Sequence, residues 1–510
     1  MTPRAKPATP VTAADVAIVG GGPAGAAAAR LAARAGHRVV VLTRPGSQQS
    51  LAESLPPSAS RLLDRIGVRE TIDHAGFVRS TGNTVWWGAP TPRVEAFGGG
   101  SLGWQLGRHQ FDALMLAEAE RAGATVVRGA IVREVARGVR EAATWDIHYD
   151  HRGCRESISA RWVLDCTGRA GLLARRAWRR PAAGGRTLAL VGVWDRHAGW
   201  GDVVDDTHTL VESYDGGWAW SVPVSPTRRY VTVMVDPALT SVRANEGAAG
   251  LAAVYDTELA KAVRLADLVR STSKPAQRVG APFARDASSY SASRVADDGI
   301  LLVGDAASFV DPLSSFGIKK ALSSAWLASV VVHTALTDPA MRSPAIELFE
   351  QRERAMYDGL QRRFTELSRE AADSDAADFW RSRVVGELPE PGEPDTVGLR
   401  QDAGVLAAFT AMRSRASVSF RPSEALRRID RPTVRDDRIT LEEHLVVPAF
   451  RDGVRYIRSV DLVTIVALAP AHDQVGDLYD AYRRSAGPAP LPDFLGALAV
   501  LVAKGVLELT

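Results

Sequence analysis

The chain has 510 residues, of which 46% are hydrophobic and 24% charged, so it is long enough for two or three domains with globular cores. Its 62 basic and 59 acidic residues leave a formal net charge of +3, which gives no reason to expect nucleic acid or an anionic membrane as a partner. Two cysteines, Cys154 and Cys166, exclude a disulfide framework and a cysteine-based zinc site, and no metal site is expected.

The first segment in chain order is expected to lack regular structure. Residues 1–14 are predicted to be disordered, and they lack the apolar core of a signal peptide, so we expect a cytoplasmic protein. No uninterrupted apolar run approaches the roughly 20 residues that a membrane-spanning helix needs.

A strand, a tight turn and a helix are predicted next. The β-branched apolar run 16–19 meets Gly-Gly-Gly-Pro-Ala-Gly at residues 20–25, and an alanine-rich helix and a second strand at 39–42 follow. This order and spacing are typical of a dinucleotide-binding βαβ unit, although a lone glycine turn also arises by structural coincidence.

Each glycine of this turn has a physical task. Gly20 permits the sharp turn, Gly22 lets the backbone approach a pyrophosphate, and Gly25 lets helix and strand pack closely. The helix N-terminus around Ala24 supplies unpaired N–H donors. The acidic residue that usually binds a ribose after the second strand is absent, because Arg44 stands there, so the ribose must be bound differently.

Two later strands are predicted to end in small polar turns. Residues 162–168 read Trp-Val-Leu-Asp-Cys-Thr-Gly, and residues 299–307 form a buried strand that leads directly to Asp305 and the small-residue start of a helix. Asp305 thus stands at the mouth of a sheet, where a carboxylate can bind a cofactor. Because aspartate at a helix N-cap is common, we expect both roles.

These segments resemble the flavoprotein monooxygenases and, more narrowly, the flavin-dependent halogenases. Residues 217–223, Gly-Trp-Ala-Trp-Ser-Val-Pro, are similar to the halogenase signature Trp-x-Trp-x-Ile-Pro, and residues 309–317 fit the motif Phe-x-x-Pro-x-x-Ser-x-Gly. The resemblance covers about residues 15–370 and implies an enzyme that uses FAD and O2. Trp218 and Trp220, on the same side of a strand, would wall the tunnel from flavin to substrate, with core packing as the alternative.

The resemblance also implies which residues contact the flavin. Asp305 would bind its ribityl or pyrophosphate region, and Arg108 would meet the diphosphate unless it is a surface arginine. Pro312, Gly317 and Ile318, in and just after the halogenase motif, would lie against the isoalloxazine.

The implied fold is α/β (α+β): an FAD-binding Rossmann-like domain of the glutathione-reductase type with an inserted β-sheet substrate domain. We expect the FAD-binding domain at residues 15–180 and 280–370, the β-rich substrate domain at 181–279, a helical and linker region at 371–437, and a winged-helix-like module at 438–510.

The lysine that halogenases use to carry or steer hypochlorous acid is absent. The matching segment, residues 75–82, has Ser80 at the lysine position with Arg79 beside it, and no lysine occurs between Lys6 and Lys261. An arginine stays protonated and cannot form the same chloramine-like adduct.

Other expected catalytic groups are also missing or uncertain in role. Lys319 and Lys320 lie on the helix after the flavin motif, and Ser314 replaces a glutamate of the tryptophan halogenases. We therefore expect an FAD-dependent monooxygenase that hydroxylates an electron-rich aromatic substrate through a flavin C4a-hydroperoxide. Glu53 and His109 are candidate acid or base groups, with a solvated cap and an exposed histidine as the respective alternatives.

The C-terminal residues are predicted to form a small module. A hairpin within 439–458, three helices starting near Ser459, Asp473 and Leu491, and a final strand at 506–509 are similar to winged-helix-type units of enzymes that modify ribosomally made peptides. A structural cap or a dimerisation element is the alternative.

Taken together, the chain resembles the flavin monooxygenases that hydroxylate a protein-borne tryptophan during maturation of tryptophylquinone cofactors. The substrate would be an indole in a peptide or small protein, and a separate flavin reductase would supply reduced FAD. The alternatives are a halogenase with a non-lysine relay, a tailoring oxidase acting on a carrier-tethered pyrrole or phenol, and binding without turnover.

Overall fold

The computed structural model describes most of the chain, in the following stretches: 12–46, 49–138, 144–174, 178–182, 185–201, 205–240, 247–271, 275–314, 316–374, 378–384, 402–415 and 417–509. Most of the N-terminal segment and the centre of the predicted linker therefore lie outside the described residues. Ala13 and Ala14, expected to be disordered, instead begin the first strand, because they pair with Ser159 and Ala160 of a neighbouring strand.

The chain divides into two compact units, one of residues 1–337 and 349–389 and the other of residues 338–348 and 390–510. The strands up to residue 309 are β1 (Ala13–Val19), β2 (Val39–Thr43), β3 (Ala52–Leu55), β4 (Val78–Ser80), β5 (Gly82–Trp86), β6 (Arg93–Ala96), β7 (Gly103–Gly107), β8 (Thr125–Arg128), β9 (Ile131–Arg137), β10 (Trp145–His151), β11 (Cys154–Asp165), β12 (Arg179–Pro181), β13 (Leu188–Asp195), β14 (Thr209–Tyr214), β15 (Gly217–Pro223), β16 (Arg228–Val235), β17 (Gln277–Arg278), β18 (Phe283–Asp286), β19 (Tyr290–Ala292), β20 (Ala296–Asp297), β21 (Ile300–Leu302) and β22 (Ser308–Phe309). The helices up to residue 384 are α1 (Pro23–Arg34), α2 (Ser60–Ile66), α3 (Arg69–Asp73), α4 (Arg108–Arg121), α5 (Ala248–Lys261), α6 (Val263–Arg270), α7 (Gly317–Thr337), α8 (Arg342–Ser374) and α9 (Asp378–Arg381).

The main sheet of the first unit has parallel strands at its centre. Its order is β20-β21-β11-β1-β2-β8, with β21, β11, β1, β2 and β8 parallel and the antiparallel strands β10 and β9 extending from β11. The carboxyl ends of parallel strands meet at one edge of a sheet, so the turns after β1, β2, β11 and β21 come together. Helix α1 packs against α7 and α4, and the fully buried alanines of its first two turns allow that close approach.

A second sheet carries the paired tryptophans. Its order is β17-β13-β16-β15-β14-β5-β6, with β18 also paired to β13. Strands β5 and β6 come from residues 82–96, so this sheet combines the predicted substrate segment 181–279 with an earlier part of the chain, and that segment also contributes helices α5 and α6. A small third sheet, β3-β7-β4, holds Glu53 and Ser80.

The helix expected directly after Asp305 is not there. Residues Gly304–Ala306 form a single 3-10 turn capped by Val303, residues 308–309 form β22, and the α-helix begins only at Gly317. Instead of starting a helix, residues 308–309 pair with Ser291 and Tyr290 of β19, so the backbone is extended there. The predicted N-cap role of Asp305 is therefore wrong.

The second unit contains a compact module with its own core. Its strands are β23 (Phe420–Pro422), β24 (Arg427–Arg435), β25 (Arg438–Val447), β26 (Phe450–Val454), β27 (Tyr456–Ile457), β28 (Val460–Asp461) and β29 (Leu507–Leu509), and its helices are α10 (Ala403–Arg413), α11 (Leu462–Leu468), α12 (Val475–Ala486) and α13 (Leu491–Ala503). The Asp461 side chain caps α11 by accepting hydrogen bonds from the N–H groups of Val463 and Thr464. Leu445, Ile465 and Phe494 are among its fully buried core residues.

The predicted start of this module, residue 438, is wrong. It falls inside a hairpin, because β24 pairs with β25 over its whole length and Asp436 and Asp437 form the turn between them. Both aspartates have positive φ, 48° and 57°, as a tight hairpin turn of the I′ type requires. The helices begin within three residues of their predicted starts.

Among the described residues, no single helix is long and apolar enough to cross a membrane. Helices α12 and α13 have that length and apolar character only as a pair bent by 105°.

Candidate active site

The glycine turn after β1 forms a cradle at the carboxyl edge of the main sheet. A methyl group at Gly25 would overlap the Gly20 carbonyl oxygen, so α1 can lie this close to β1 only with glycine there. A methyl group at Gly22 would meet only the Arg108 Nη2, at 3.9 Å. The backbone at Gly22 therefore faces open space that ends at a guanidinium.

The other predicted strand-end residues lie around this cradle. Asp305 follows β21, and Gly304 packs against Ala24, since a methyl group at Gly304 would lie 3.5 Å from the Ala24 Cβ. Arg44 is exposed at the end of β2, and burial together with the charge of Arg44 lowers the pKa of Arg285. The chain thus places Asp305 and Arg44 at the ends of strands that neighbour the glycine turn.

Arg108 connects the cradle to two carboxylates. It is the first residue of α4, and its Nη1 donates to Glu53 Oε1 at 2.5 Å while its Nε and Nη2 donate to both oxygens of Asp112 at 3.0 Å. Burial acts to lower the pKa of Arg108, but the two carboxylates outweigh it and raise that pKa. A permanently charged, rigidly held guanidinium is suited to binding a diphosphate.

Glu53 is held in the site by this pair. Burial is the largest effect on the pKa of Glu53 and raises it. The Arg108 guanidinium lowers this pKa, whereas the charges of Asp305 and Asp112 raise it further. A methyl group at Gly317 would lie 3.1 Å from Glu53 Oε2, so the carboxylate reaches the start of α7. Glu53 is therefore a partly buried, ion-paired group rather than a solvated cap.

These residues fit FAD. The open space at Gly22, the α1 N-terminus that no side chain caps, and the Arg108 guanidinium together complement a pyrophosphate. Gly317 and the buried Ile318 at the start of α7 lie beside Glu53, where the resemblance puts the isoalloxazine after Pro312. When bound, the flavin supplies the redox chemistry, and the residues described here hold and orient it.

A buried lysine, Lys320, binds the side chain of Asp305. Lys320 Nζ donates to Asp305 Oδ1 and to the Gly304 carbonyl, both at 3.2 Å, and to the Ser308 carbonyl. Glu353 lies near it, and burial raises the pKa of Glu353 to about 7 against the charge of Lys320 and the Ser324 hydroxyl, which lower it. The structure thus fixes Asp305 at the site through a group that sequence reasoning did not select.

The position of the halogenase lysine is closed. Ser80 is fully buried, and its hydroxyl donates to the Gly82 carbonyl at 3.1 Å. The neighbouring Arg79 donates to Asp73 Oδ1 at 2.8 Å and lies over the Trp104 ring. Neither side chain is free to carry a reagent from flavin to substrate.

The two signature tryptophans lie face to face, as expected for a spacing of two on one strand. The rings of Trp218 and Trp220 stack with centroids 4.7 Å apart, Trp218 buried and Trp220 partly buried. Trp87 and Trp380 extend this aromatic cluster, with Trp87 edge-on to both Trp218 and Trp380. The sequence did not predict Trp87 or Trp380 as neighbours of this pair, because indoles mostly pack in cores and nothing in the local pattern of Trp87 marks its contacts.

His109 does not join the buried groups. Its side chain is exposed on α4, and its backbone N–H donates to the Ser50 hydroxyl at 2.8 Å. The charge of His109 acts to lower the pKa of Asp112, but burial raises that pKa overall. A catalytic role for His109 stays a prediction.

One group inside the flavin motif was missed. Asp311, directly before Pro312, is 2% exposed, and burial raises its pKa to about 7. It occupies a variable position of the Phe-x-x-Pro motif, so the motif itself gave no signal. The sequence did contain one signal, because Asp311 stands between apolar residues. An aspartate in such surroundings is rarely buried unless it has a partner or a function.

A cavity of about 610 Å³ lies elsewhere on the first unit, lined by Arg61, Arg69 and Arg79 among others. Two of these three arginines are already paired, because Asp73 binds Arg69 and Arg79 at 2.7 and 2.8 Å. The candidate site is therefore located by the residue chemistry around the glycine cradle and not by this cavity.

Comparison with known proteins agrees with this geometry. Residues 13–343 match the family model of the FAD binding domain. The tryptophan 2-halogenase of Chondromyces crocatus is 28% identical over 347 residues, which are 66% of this chain and 64% of that protein. The 1H-pyrrole-2-carbonyl-(peptidyl-carrier protein) chlorinase of Pseudomonas fluorescens is 28% identical over 348 residues, 62% of this chain and 74% of that protein. The chain thus spans just under two thirds of the length of the first of these relatives.

Solved structures share the fold over nearly the whole chain. The flavin-dependent halogenase CmlS superposes with a TM-score of 0.77 at 22% identity, covering 97% of this chain and 96% of CmlS. The peptidyl tryptophan dihydroxylase QhpG, essential for tryptophylquinone cofactor biogenesis, superposes with a TM-score of 0.66 at 24% identity, covering 97% of this chain and all of QhpG. The α/β class and the Rossmann-like FAD-binding domain predicted from the sequence are confirmed. The family model covers more than half of the chain. The chain therefore belongs to the FAD-binding-domain family and is a halogenase-like flavoprotein whose cofactor is FAD.

Proposed function

We propose that this protein is an FAD-dependent monooxygenase that hydroxylates an indole carried by a peptide or small protein. One oxygen atom of O2 forms the new C–O bond and the other leaves as water. Two electrons come from reduced FAD, which a separate flavin reductase supplies.

The observation that carries this proposal is the closed position of the halogenase lysine. Ser80 is fully buried and bonded to Gly82, and Arg79 is held by Asp73. Lys320, on α7, is committed to Asp305 and two backbone carbonyls. A site without a mobile amine can still direct oxygen from a flavin to a ring carbon, because hydroxylation needs no relay of hypohalous acid.

The indole and its carrier are supported by weaker observations. The stacked Trp218 and Trp220 give an aromatic wall that suits a planar, electron-rich ring. One relative is named for tryptophan, and the fold likeness to a peptidyl tryptophan dihydroxylase extends over the whole of that protein. The second unit, whose residues 390–510 lie beyond the matched family model, would then serve the peptide.

The test supplies the purified chain with reduced FAD, isotopically labelled O2 and a tryptophan-containing peptide, with and without chloride or bromide. Gain of one labelled oxygen atom by the peptide in the absence of halide supports the proposal. A peptide that stays unmodified while O2 is reduced only to hydrogen peroxide, across a panel of tryptophan peptides, contradicts it.

Halogenation is the second candidate, and Lys319 is the residue that favours it. This side chain is partly buried at the start of α7, it donates to the Ser58 hydroxyl at 3.0 Å, and burial lowers its pKa. Halide-dependent halogenation of the peptide or of a diketone trap would support it. In that case Lys319→Gln should abolish the halogenation, while Lys261→Gln, which removes a lysine paired with Glu258 on α5, should leave it intact.

A further inference from the structure

Asp311 is a buried carboxylate that the described residues leave without a well-placed donor. It is 2% exposed, and neither of its oxygens accepts a hydrogen bond of good geometry from them. The nearest donors are the Leu313 N–H and the Trp218 indole N–H, and Trp218 Nε1 is itself buried without an acceptor. Few such groups survive in native proteins, and each calls for a physical explanation.

A structural ion pair does not explain it. Arg383 is the main cation facing Asp311, but its guanidinium already donates to the Arg186 carbonyl at 2.8 Å and the Thr187 hydroxyl at 2.9 Å. Its carboxylate partner within 4 Å is Asp236, at 3.4 Å. Asp311 is left outside this pair.

The second cation facing Asp311 is also committed. Arg169 donates to the Ser288 carbonyl, pairs with Asp286 at 3.3 Å and lies over the Phe309 ring. One of its nitrogens, Nη1, is buried without an acceptor. Hydrogen-bond donors and acceptors without partners among the described residues therefore lie close together at this point of the flavin motif. Such a group of unsatisfied polar atoms is typical of a site that binds a polar ligand.

The walls around these atoms are aromatic and apolar. Phe309 and Leu313, which flank Asp311 in the sequence, pack into the same cluster as Trp218 and Trp220. A flat aromatic wall with a single buried acceptor complements a planar ring that carries one N–H donor. An indole or a pyrrole has this shape and this donor.

We propose that Asp311 is the carboxylate that accepts the ring N–H of the aromatic substrate, and that the substrate must therefore be an N–H heteroaromatic, an indole in the proposed function on which this inference rests. As the new C–O bond forms at a ring carbon, positive charge develops on the ring nitrogen. Asp311 takes the N–H proton and leaves the ring neutral. Loss of the proton from the oxidised carbon and return of a proton to nitrogen then restore the aromatic ring and the carboxylate.

The protonation behaviour of Asp311 agrees with this role. Burial raises its pKa to about 7, against Arg383, the Leu313 N–H, Trp218 and Arg169, all of which lower it. A group whose pKa lies near the working pH can both take up and return a proton during turnover.

The test pairs two variants with two peptides. Asp311→Asn keeps the side-chain shape and removes the base, and Asp236→Asn is the matched control, because it removes the other carboxylate facing Arg383. The peptides carry tryptophan or its N1-methyl analogue, which has no N–H. Binding of each peptide to the FAD-loaded protein and labelled-oxygen incorporation are measured separately between pH 5.5 and pH 8.5, a window of about 1.5 units on either side of a pKa near 7.

We expect the wild type to bind and hydroxylate the tryptophan peptide at least about tenfold better than the methylated one, as a hydrogen bond to a charged acceptor implies. Asp311→Asn should lose that preference, and its rate of oxygen incorporation should no longer change with pH near neutrality. Asp236→Asn should keep both the preference and the pH dependence. Asp311→Asn should also be no less stable than the wild type to heat at pH 8, because a buried carboxylate without a partner does not stabilise the fold.

Other outcomes would overturn either the role of Asp311 or the proposed hydroxylation, and the two failures can be told apart. If Asp311→Asn lowers activity equally on both peptides, or if Asp236→Asn has the same effect, Asp311 only balances charge. If Asp311→Asn weakens FAD binding about tenfold and the preference for the N–H peptide persists, the carboxylate serves the flavin. If Asp311 governs peptide binding but no oxygen is incorporated, N–H recognition stands and hydroxylation fails.

Discussion

At the scale of single residues, the flavin cradle depends on the absence of a side chain at Gly25. Gly25→Ala would place a methyl group on the Gly20 carbonyl oxygen, so the first turn of α1 would have to move away from β1. We expect a loss of stability of about 2 kcal/mol or more and a marked loss of FAD binding. Denaturant unfolding and flavin fluorescence titration measure the two effects.

The control for this change is Gly359→Ala. Gly359 lies inside α8 with open space where a methyl group would go, so the same substitution should stabilise the helix by about 1 kcal/mol and leave FAD binding unchanged. Equal effects of the two variants would contradict the cradle.

Arg108 makes the second residue-scale prediction. Its guanidinium holds Glu53 and both oxygens of Asp112 at once, a fork that a lysine cannot reproduce. Arg108→Lys should weaken FAD binding about tenfold, because the cation is no longer fixed toward the diphosphate.

Arg128→Lys is the matched control, since Arg128 makes a two-point pair with Glu120 in an exposed position. Its FAD affinity should stay that of the wild type. An unchanged affinity in Arg108→Lys would remove Arg108 from the flavin site.

Sequence patterns located the strand-end residues better than the buried carboxylates, and the reason is physical. Gly22, Gly25 and Asp305 are tied to strand ends, and the order of a parallel sheet brings such ends together whatever the rest of the chain does. Asp311 and Glu353 became noticeable only through burial, which depends on side chains distant in sequence.

At the scale of secondary-structure elements, helices α7 and α8 bring a buried carboxyl group near a buried lysine. Glu353 on α8 and Lys320 on α7 are 5% and 4% exposed. Burial raises the pKa of Glu353 to about 7, above the ordinary 4.5, so the native state binds a proton that the unfolded chain has released. Stability from this group is therefore present below about pH 4.5 and is lost as the pH rises through about 7.

Glu353→Gln should therefore match the wild type near pH 4 and exceed it at pH 8, by on the order of 2 kcal/mol in the free energy of unfolding. Glu366→Gln, at an exposed position of the same helix, should not change the pH dependence. A Glu353→Gln variant that is less stable at pH 8 would mean that the carboxylate is needed to balance Lys320.

Elements were predictable where one local signal dominated. The three helices predicted to start near Ser459, Asp473 and Leu491 begin within three residues of those positions. The predicted helix after Asp305 was wrong because residues 308–309 pair with β19, a contact that the local sequence does not show, and β24 was missed because its row of arginines hides the strand pattern. The turn between β24 and β25 could have been predicted, since two adjacent aspartates are typical of a tight hairpin turn.

At the scale of the whole molecule, the two units have separate hydrophobic cores. The family model ends at residue 343, and the flavin cradle is built from the first unit. The core of the C-terminal module is formed within residues 405–507, so its folding does not require the flavin. A bound ligand stabilises only the structure that binds it, by about 2.7 kcal/mol at a concentration a hundred times its Kd.

FAD should therefore protect the two units unequally from hydrogen exchange. We expect slower exchange at the glycine turn, 20–25, and at the segment 300–320 when FAD is added to the full chain, while residues 439–509 exchange at the same rate with and without it. Gly25→Ala, which should not hold the cofactor, is the control that must lose the protection of both flavin segments. Protection that spreads evenly into residues 439–509 would mean that the module senses the flavin, and its assignment to the peptide substrate would then have to give way to a direct role in the flavin site.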